Sequence, residues 1–155
     1  MAMNLIVGQS GGPTAVINSS LAGVYETAKN LGVNKVYGML YGIEGLLQEK
    51  MVDLDDMLGD IMSIELLKRT PSSYLGSCRC KLPTPEQDES VYDTLFRLFD
   101  KYEIGALLYI GGNDSMDTIA KLSAYGARIR SKVRFIGVPK TIDNDLMLTD
   151  HTPGY

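Results

Sequence analysis

The chain predicts an α/β fold, a doubly wound, mostly parallel sheet in a Rossmann-like three-layer sandwich. Three observations carry this. Short apolar runs alternate with segments of helical period along the whole sequence. Two of those runs, Leu5-Ile6-Val7 and Ala106-Leu107-Leu108-Tyr109-Ile110, are continuously apolar, as strands covered on both faces must be. The chain also opens in the order strand, glycine-rich loop, helix, which begins a βαβ unit.

Residues 4–7 read as the first strand, followed by the breaker cluster Gly8-Gln9-Ser10-Gly11-Gly12-Pro13-Thr14 and a helical pattern over residues 15–31. Residues 35–41 alternate as a second strand, which residues 42–45 break. Leu58, Ile61, Ile64 and Leu67 recur at helical spacing and predict one helix over residues 57–68. Residues 70–85 hold Pro71, Gly76, Pro83 and Pro85 in a loop too long for a mere connection, and loops of that kind are often functional. Proline and then acids start the next helix at Pro85, running to about Tyr102. A strand over 106–110, a helix over 116–125 and a strand over 134–138 follow. The basic residues Arg128, Arg130, Lys132 and Arg134 read as a solvated connection.

A length of 155 residues with 45% hydrophobic content suits one domain with a real core. The formal net charge of -4 argues against nucleic acid or an anionic membrane as partner, because both need a basic footprint. No apolar run approaches the roughly 20 residues of a membrane span, and residues 1–5 lack the pattern of a signal peptide. A cytoplasmic protein is expected. Cys78 and Cys80 are too close for a disulfide and too few for a zinc site, so they read as reduced, incidental thiols. His151, the single histidine, reads as a surface or packing residue. The sequence stops at Thr152-Pro153-Gly154-Tyr155 without a closing helix, which reads as truncation at the C-terminus.

Three loops follow three strands and would leave a parallel sheet at one edge. In the first, Gly11 and Gly12 let backbone amides approach an anion, with the next helix directing its positive end there; a turn that only reverses the chain is the plainer alternative. In the second, Gly111-Gly112-Asn113-Asp114-Ser115, an acid beside an amide oxygen and a hydroxyl suits Mg²⁺ carried by phosphate, with few protein ligands and several waters. Asp114 or Ser115 as a simple helix cap is the alternative there. In the third, Pro139-Lys140-Thr141-Ile142-Asp143-Asn144-Asp145, extended backbone would put the Asp143 and Asp145 carboxylates on one side, as a proton acceptor and its support. Lys140 adds a compact cation suited to phosphate. Carboxylates beside such a cation point to phosphoryl transfer, in which a protein mainly positions groups and stabilises charge.

Gly11-Gly12-Pro13-Thr14-Ala15, Leu75-Gly76-Ser77-Cys78-Arg79, Tyr109 through Ser115 and Pro139 through Asp145 occur in an order and spacing that resemble the phosphofructokinase family across essentially the whole chain. The resemblance implies an N-terminal donor-phosphate-binding domain, here incomplete, of a glycolytic enzyme that phosphorylates the 1-hydroxyl of fructose 6-phosphate with Mg²⁺ as cofactor. It implies that Asp143 accepts the proton, Thr141 and Asp145 lie by the sugar, and Gly11, Gly12, Gly112, Ser115 and Arg79 meet the donor phosphates. Asn113 stands where many members carry the metal-associated aspartate, so Asn113 and Asp114 share the expected metal role. Members that use ATP carry glycine at the positions of Asp114 and Lys140; a charge at each is the pattern of the pyrophosphate-dependent branch. The physics agrees, since a carboxylate about 4 Å from an α-phosphate costs on the order of 4 kcal/mol at an effective dielectric near 20. An ATP-dependent enzyme and a non-catalytic phosphate-binding regulatory domain are the alternatives. A homo-oligomer is expected at full length, and the 155-residue chain alone is expected to lack activity.

Overall fold

The computed structural model describes residues 3–141. Strand β1 (Asn4–Gln9) is buried along its entire length. It lies at the centre of a five-stranded sheet, flanked by β2 (Val36–Met39) and then β3 (Met51–Asp53) on one side, and by β4 (Ile104–Gly111) and then β5 (Arg134–Pro139) on the other. All pairings are parallel except β2 with β3, which is antiparallel, so the predicted doubly wound, mostly parallel sheet is what forms.

Strand alternation sorts the core into two halves. Leu5, Val7, Ala106 and Ile110 face α1 (Ile17–Asn30), α3 (Leu54–Leu58) and α4 (Ile61–Arg69). Ile6, Leu107 and Tyr109 face α2 (Gly42–Leu47), α5 (Glu89–Lys101) and α6 (Asn113–Arg128). Chain direction explains the split: β1 leads outward to β2, β4 leads the opposite way to β5, and right-handed crossovers in opposite directions put their helices on opposite faces. The switch point falls between β1 and β4, where open sheets of this kind leave a crevice at the carboxyl ends.

Four local features differ from the sequence reading. Residues 42–45 do not simply break β2 but open α2, after Tyr41 and Gly42 both take positive φ, 59° and 60°. A side chain at position 42 would meet Cys78 Sγ and Tyr109 Oη, each 2.6 Å from a Cβ built there, so close approach as well as φ requires glycine. The single helix over 57–68 is two: Asp53 caps α3 by accepting from Asp55 N at 3.1 Å, and Asp60 caps α4 by accepting from Ser63 N at 2.8 Å. Three-residue β3 went unread, since so short an edge strand carries no periodicity. Helix α5 begins at Glu89, capped by Asp88, with a Thr84–Gln87 turn where the helix start was expected.

Candidate active site

Parallel register brings the loops after β1, β4 and β5 side by side: Gln9 pairs with Ile110, and Gly111 with Pro139. Cross-loop bonds continue the ladder, Ser10 N donating to Ile110 O at 2.9 Å and Lys140 N to Gly111 O at 3.0 Å. The three loops and residues 78–80 of the long loop line an open cleft of ≈ 400 Å³. Ser10, Gly11 and Gly12 come from the first loop, Gly112, Asn113, Asp114 and Ser115 from the second, and Lys140 from the third. The lining includes most of the expected site residues; Thr141 instead sits beside Gly112, its methyl 3.9 Å from where a Cβ would be. Asp143 and Asp145 lie outside the described residues.

Gly11 takes φ +79°, a conformation that favours glycine. A Cβ there would stand 3.2 Å from Lys140 Cε and 3.7 Å from Nζ, so the glycine also makes room for the lysine. Lys140 is buried, only 6% exposed, and its ammonium end lies against the Gly11 backbone. The Gly11 amide itself is taken: it donates to Cys78 O at 3.1 Å. Gly12 also lines the cleft, and its amide has no partner among the described residues.

The expected helix dipole at the first loop is a correction. No residue of α1 lines the cleft, and the contributing helix is α6, whose first residues Asn113, Asp114 and Ser115 do. Gly112 is its N-cap, without a side-chain cap, so Asp114 and Ser115 lie within the first turn and neither acts as the cap. The first amides of a helix have no partner within it, so the positive end of α6 opens on the cleft.

The long loop is placed by the topology. Helix α4 packs on the α1 face and α5 on the opposite face, so the segment between them must cross the carboxyl edge of the sheet. Leu75 is buried in the first core half and Leu82 in the second; residues 76–81 pass over the cleft between them. Anchors hold the crossing. Gln9, fully buried, donates to Ile17 O and Asn18 Oδ1 and accepts from Ser73 Oγ and from Leu75 N at 2.8 Å. Asn18 accepts from Tyr74 N and donates to Thr70 O. Further along, Lys121 Nζ donates to Leu82 O and Tyr92 Oη to Pro83 O. Neither Gln9 nor Asn18 stood out in the sequence; the one available signal was a polar residue ending an apolar strand.

The cysteines are free but not incidental. Cys78 is buried with Sγ 3.5 Å from Tyr109 Oη, while Ile43 N donates to the same hydroxyl at 3.3 Å. Burial holds the Tyr109 phenol well above the usual tyrosine range, so this hydroxyl stays neutral. Cys80 lines the cleft, and burial raises its thiol too, followed by the influence of Cys78 and Glu44.

Among the described residues the cleft and its rim carry Arg79, Lys81 and Lys140 against one carboxylate, Asp114. No cluster of three or more His, Cys, Asp or Glu that would cage a metal occurs among them. An amide oxygen and one carboxylate at a cationic cleft suit an ion that arrives on phosphate and keeps most of its waters.

Fold and cleft together define an α/β protein with an open crevice at the carboxyl edge of a doubly wound sheet. The phosphofructokinase family profile matches residues 4–155, and the chain belongs to that family. It is 43% identical, over 97% of its length, to the pyrophosphate–fructose 6-phosphate 1-phosphotransferase of Rhodospirillum rubrum, and spans 36% of that relative. It is 40% identical, over 99% of its length, to the protein of the same name from Methylococcus capsulatus, and spans 37% of it. The crystal structure of a pyrophosphate-dependent phosphofructokinase from Nitrosospira multiformis superposes with a TM-score of 0.88 at 39% identity, covering 99% of this chain and 38% of that one. The chain thus spans little more than a third of the relatives it matches. Among the described residues no helix is long and apolar enough to cross a membrane.

Proposed function

We propose that the whole protein transfers a phosphoryl group reversibly between pyrophosphate and the 1-hydroxyl of fructose 6-phosphate, in cytoplasmic glycolysis, and works as a homo-oligomer. One observation carries the choice of donor: Asp114 and Lys140, both charged, line the same cleft. The relatives' names support the same reading. Forward, the sugar oxygen bonds to one phosphorus, the bridging P–O bond breaks, and the bridging oxygen leaves with inorganic phosphate. The hydroxyl proton passes to Asp143, acting as general base, and Asp145 supports it. Thr141 orients the sugar. Gly12, Gly112 and Ser115 cradle the donor from the backbone and first-turn side, with Gly11 making room for Lys140. Arg79 and Lys140 stabilise charge as it moves onto the leaving phosphate. Asn113 and Asp114 would hold Mg²⁺, whose chemistry there is to neutralise phosphate charge.

Steady-state kinetics of the full-length protein with each donor test this. Pyrophosphate should support turnover and ATP should not. Asp114→Gly, alone or with Lys140→Gly, should lower turnover with pyrophosphate and make ATP a measurable donor, by up to the roughly thousandfold that the Coulomb cost at about 4 Å allows. Preference for ATP in the unmodified protein would instead support the ATP-dependent reading, and turnover with neither donor a regulatory phosphate-binding one.

A further inference from the structure

We propose that Lys81, on the rim of the cleft, determines donor affinity by screening Asp114. Its Nζ lies 3.5 Å from Asp114 Oδ1, joining the long loop to the first turn of α6. The two side chains are 78% and 67% exposed, and an ion pair that open adds at most about 1 kcal/mol to stability, so folding does not call for it. Its position gives it another use. The carboxylate that excludes an α-phosphate also stands in the cleft that pyrophosphate must enter, and until Mg²⁺ is held there an isolated negative charge repels both. Pairing turns the charge into a dipole, whose field falls off faster with distance than that of a lone charge. Pyrophosphate seated deeper, against Lys140 and Gly12, then meets a nearly neutral wall. A group pushed directly against Asp114 still meets the carboxylate. Lys81 therefore lets a local repulsive element coexist with a strongly anionic substrate.

The inference rests on the proposed pyrophosphate reaction and is tested in the full-length protein. Lys81→Ala should raise the KM for pyrophosphate about five- to tenfold, within the range of coupled neighbouring charges. The KM for fructose 6-phosphate, kcat and thermal stability should change little, and Lys81→Arg should restore the KM. With Asp114→Asn as background, Lys81→Ala should have less than about a twofold effect, because no carboxylate remains to be screened. The difference should shrink at high salt. A KM unchanged by Lys81→Ala overturns the inference. An effect equally large in the Asp114→Asn background also overturns it, since Lys81 would then act on the donor directly. Absence of pyrophosphate turnover in the unmodified protein overturns the proposed reaction, and this inference with it; normal turnover with an indifferent Lys81 overturns the inference alone.

Discussion

Gln9 decides more at the cleft than its place at the end of a strand suggests. Its amide group satisfies four partners: the Ile17 carbonyl, Asn18 Oδ1, the Ser73 hydroxyl and the Leu75 amide. Two of them belong to the loop that carries Arg79 and Lys81 across the sheet edge. Gln9→Leu would keep a similar volume but leave the Leu75 N–H buried without an acceptor, a loss of about 1–3 kcal/mol. Urea denaturation of the chain measures this. A loss below about 1 kcal/mol would mean that the anchors at Cys78, Leu82 and Pro83 hold the loop unaided.

Helices α1 and α3 are tied at one acid. Tyr25 Oη and Lys29 Nζ, one turn apart on α1, both donate to the Asp55 carboxylate at 2.9 Å. Burial, then the hydrogen bond to Asp55 and the charges of Asp55 and Asp53, push the Tyr25 phenol up to about 12. An unfolded tyrosine releases its proton near pH 10, so between about 10 and 12 the folded chain holds more protons than the unfolded one. The stability from this tie is complete below pH 10 and disappears as pH rises through 12. Lys35, Lys68 and Lys101 are raised by their acid partners and add to the same trend. Tyr25→Phe isolates the tyrosine: its urea midpoint should fall less steeply across pH 10–12 than that of the unmodified chain. Equal slopes would show that the lysines account for the whole alkaline loss.

Across the molecule, the long loop joins the two core halves at the cleft edge, with Leu75 in one and Leu82 in the other. β1 lies between two parallel neighbours with every residue buried, whereas β3 has three half-buried residues paired on one side. Amides of β1 and β4 should therefore exchange only through global unfolding, at least about thirtyfold more slowly than those of β3. Hydrogen exchange resolved by residue checks this. Similar rates would mean that β3 opens only with the whole sheet. A rigid pair of central strands next to the switch point keeps the loops after β1, β4 and β5 in register with one another.

Most of the strands and the order of the loops were legible in the linear sequence, because they depend on local properties. Continuously apolar runs such as residues 106–110 can only be buried strands or helices, glycine pairs can only punctuate them, and charge at Asp114 and Lys140 is simply read off. Helix breaks were legible only where composition was unambiguous; the adjacent cap and stop at Gly59 and Asp60 hid inside a good apolar period. Other features depended on contacts between residues far apart in the chain. Sequence shows that Gly11 has an amide but not that Cys78 O, 67 positions away, accepts from it. It shows a long loop at 70–85, but the loop's course over the cleft follows from α4 and α5 lying on opposite faces, which strand order alone decides. The Lys81–Asp114 pair belongs to the same class: two ordinary surface charges in the chain, brought to 3.5 Å because a crossing loop and a helix start share one sheet edge.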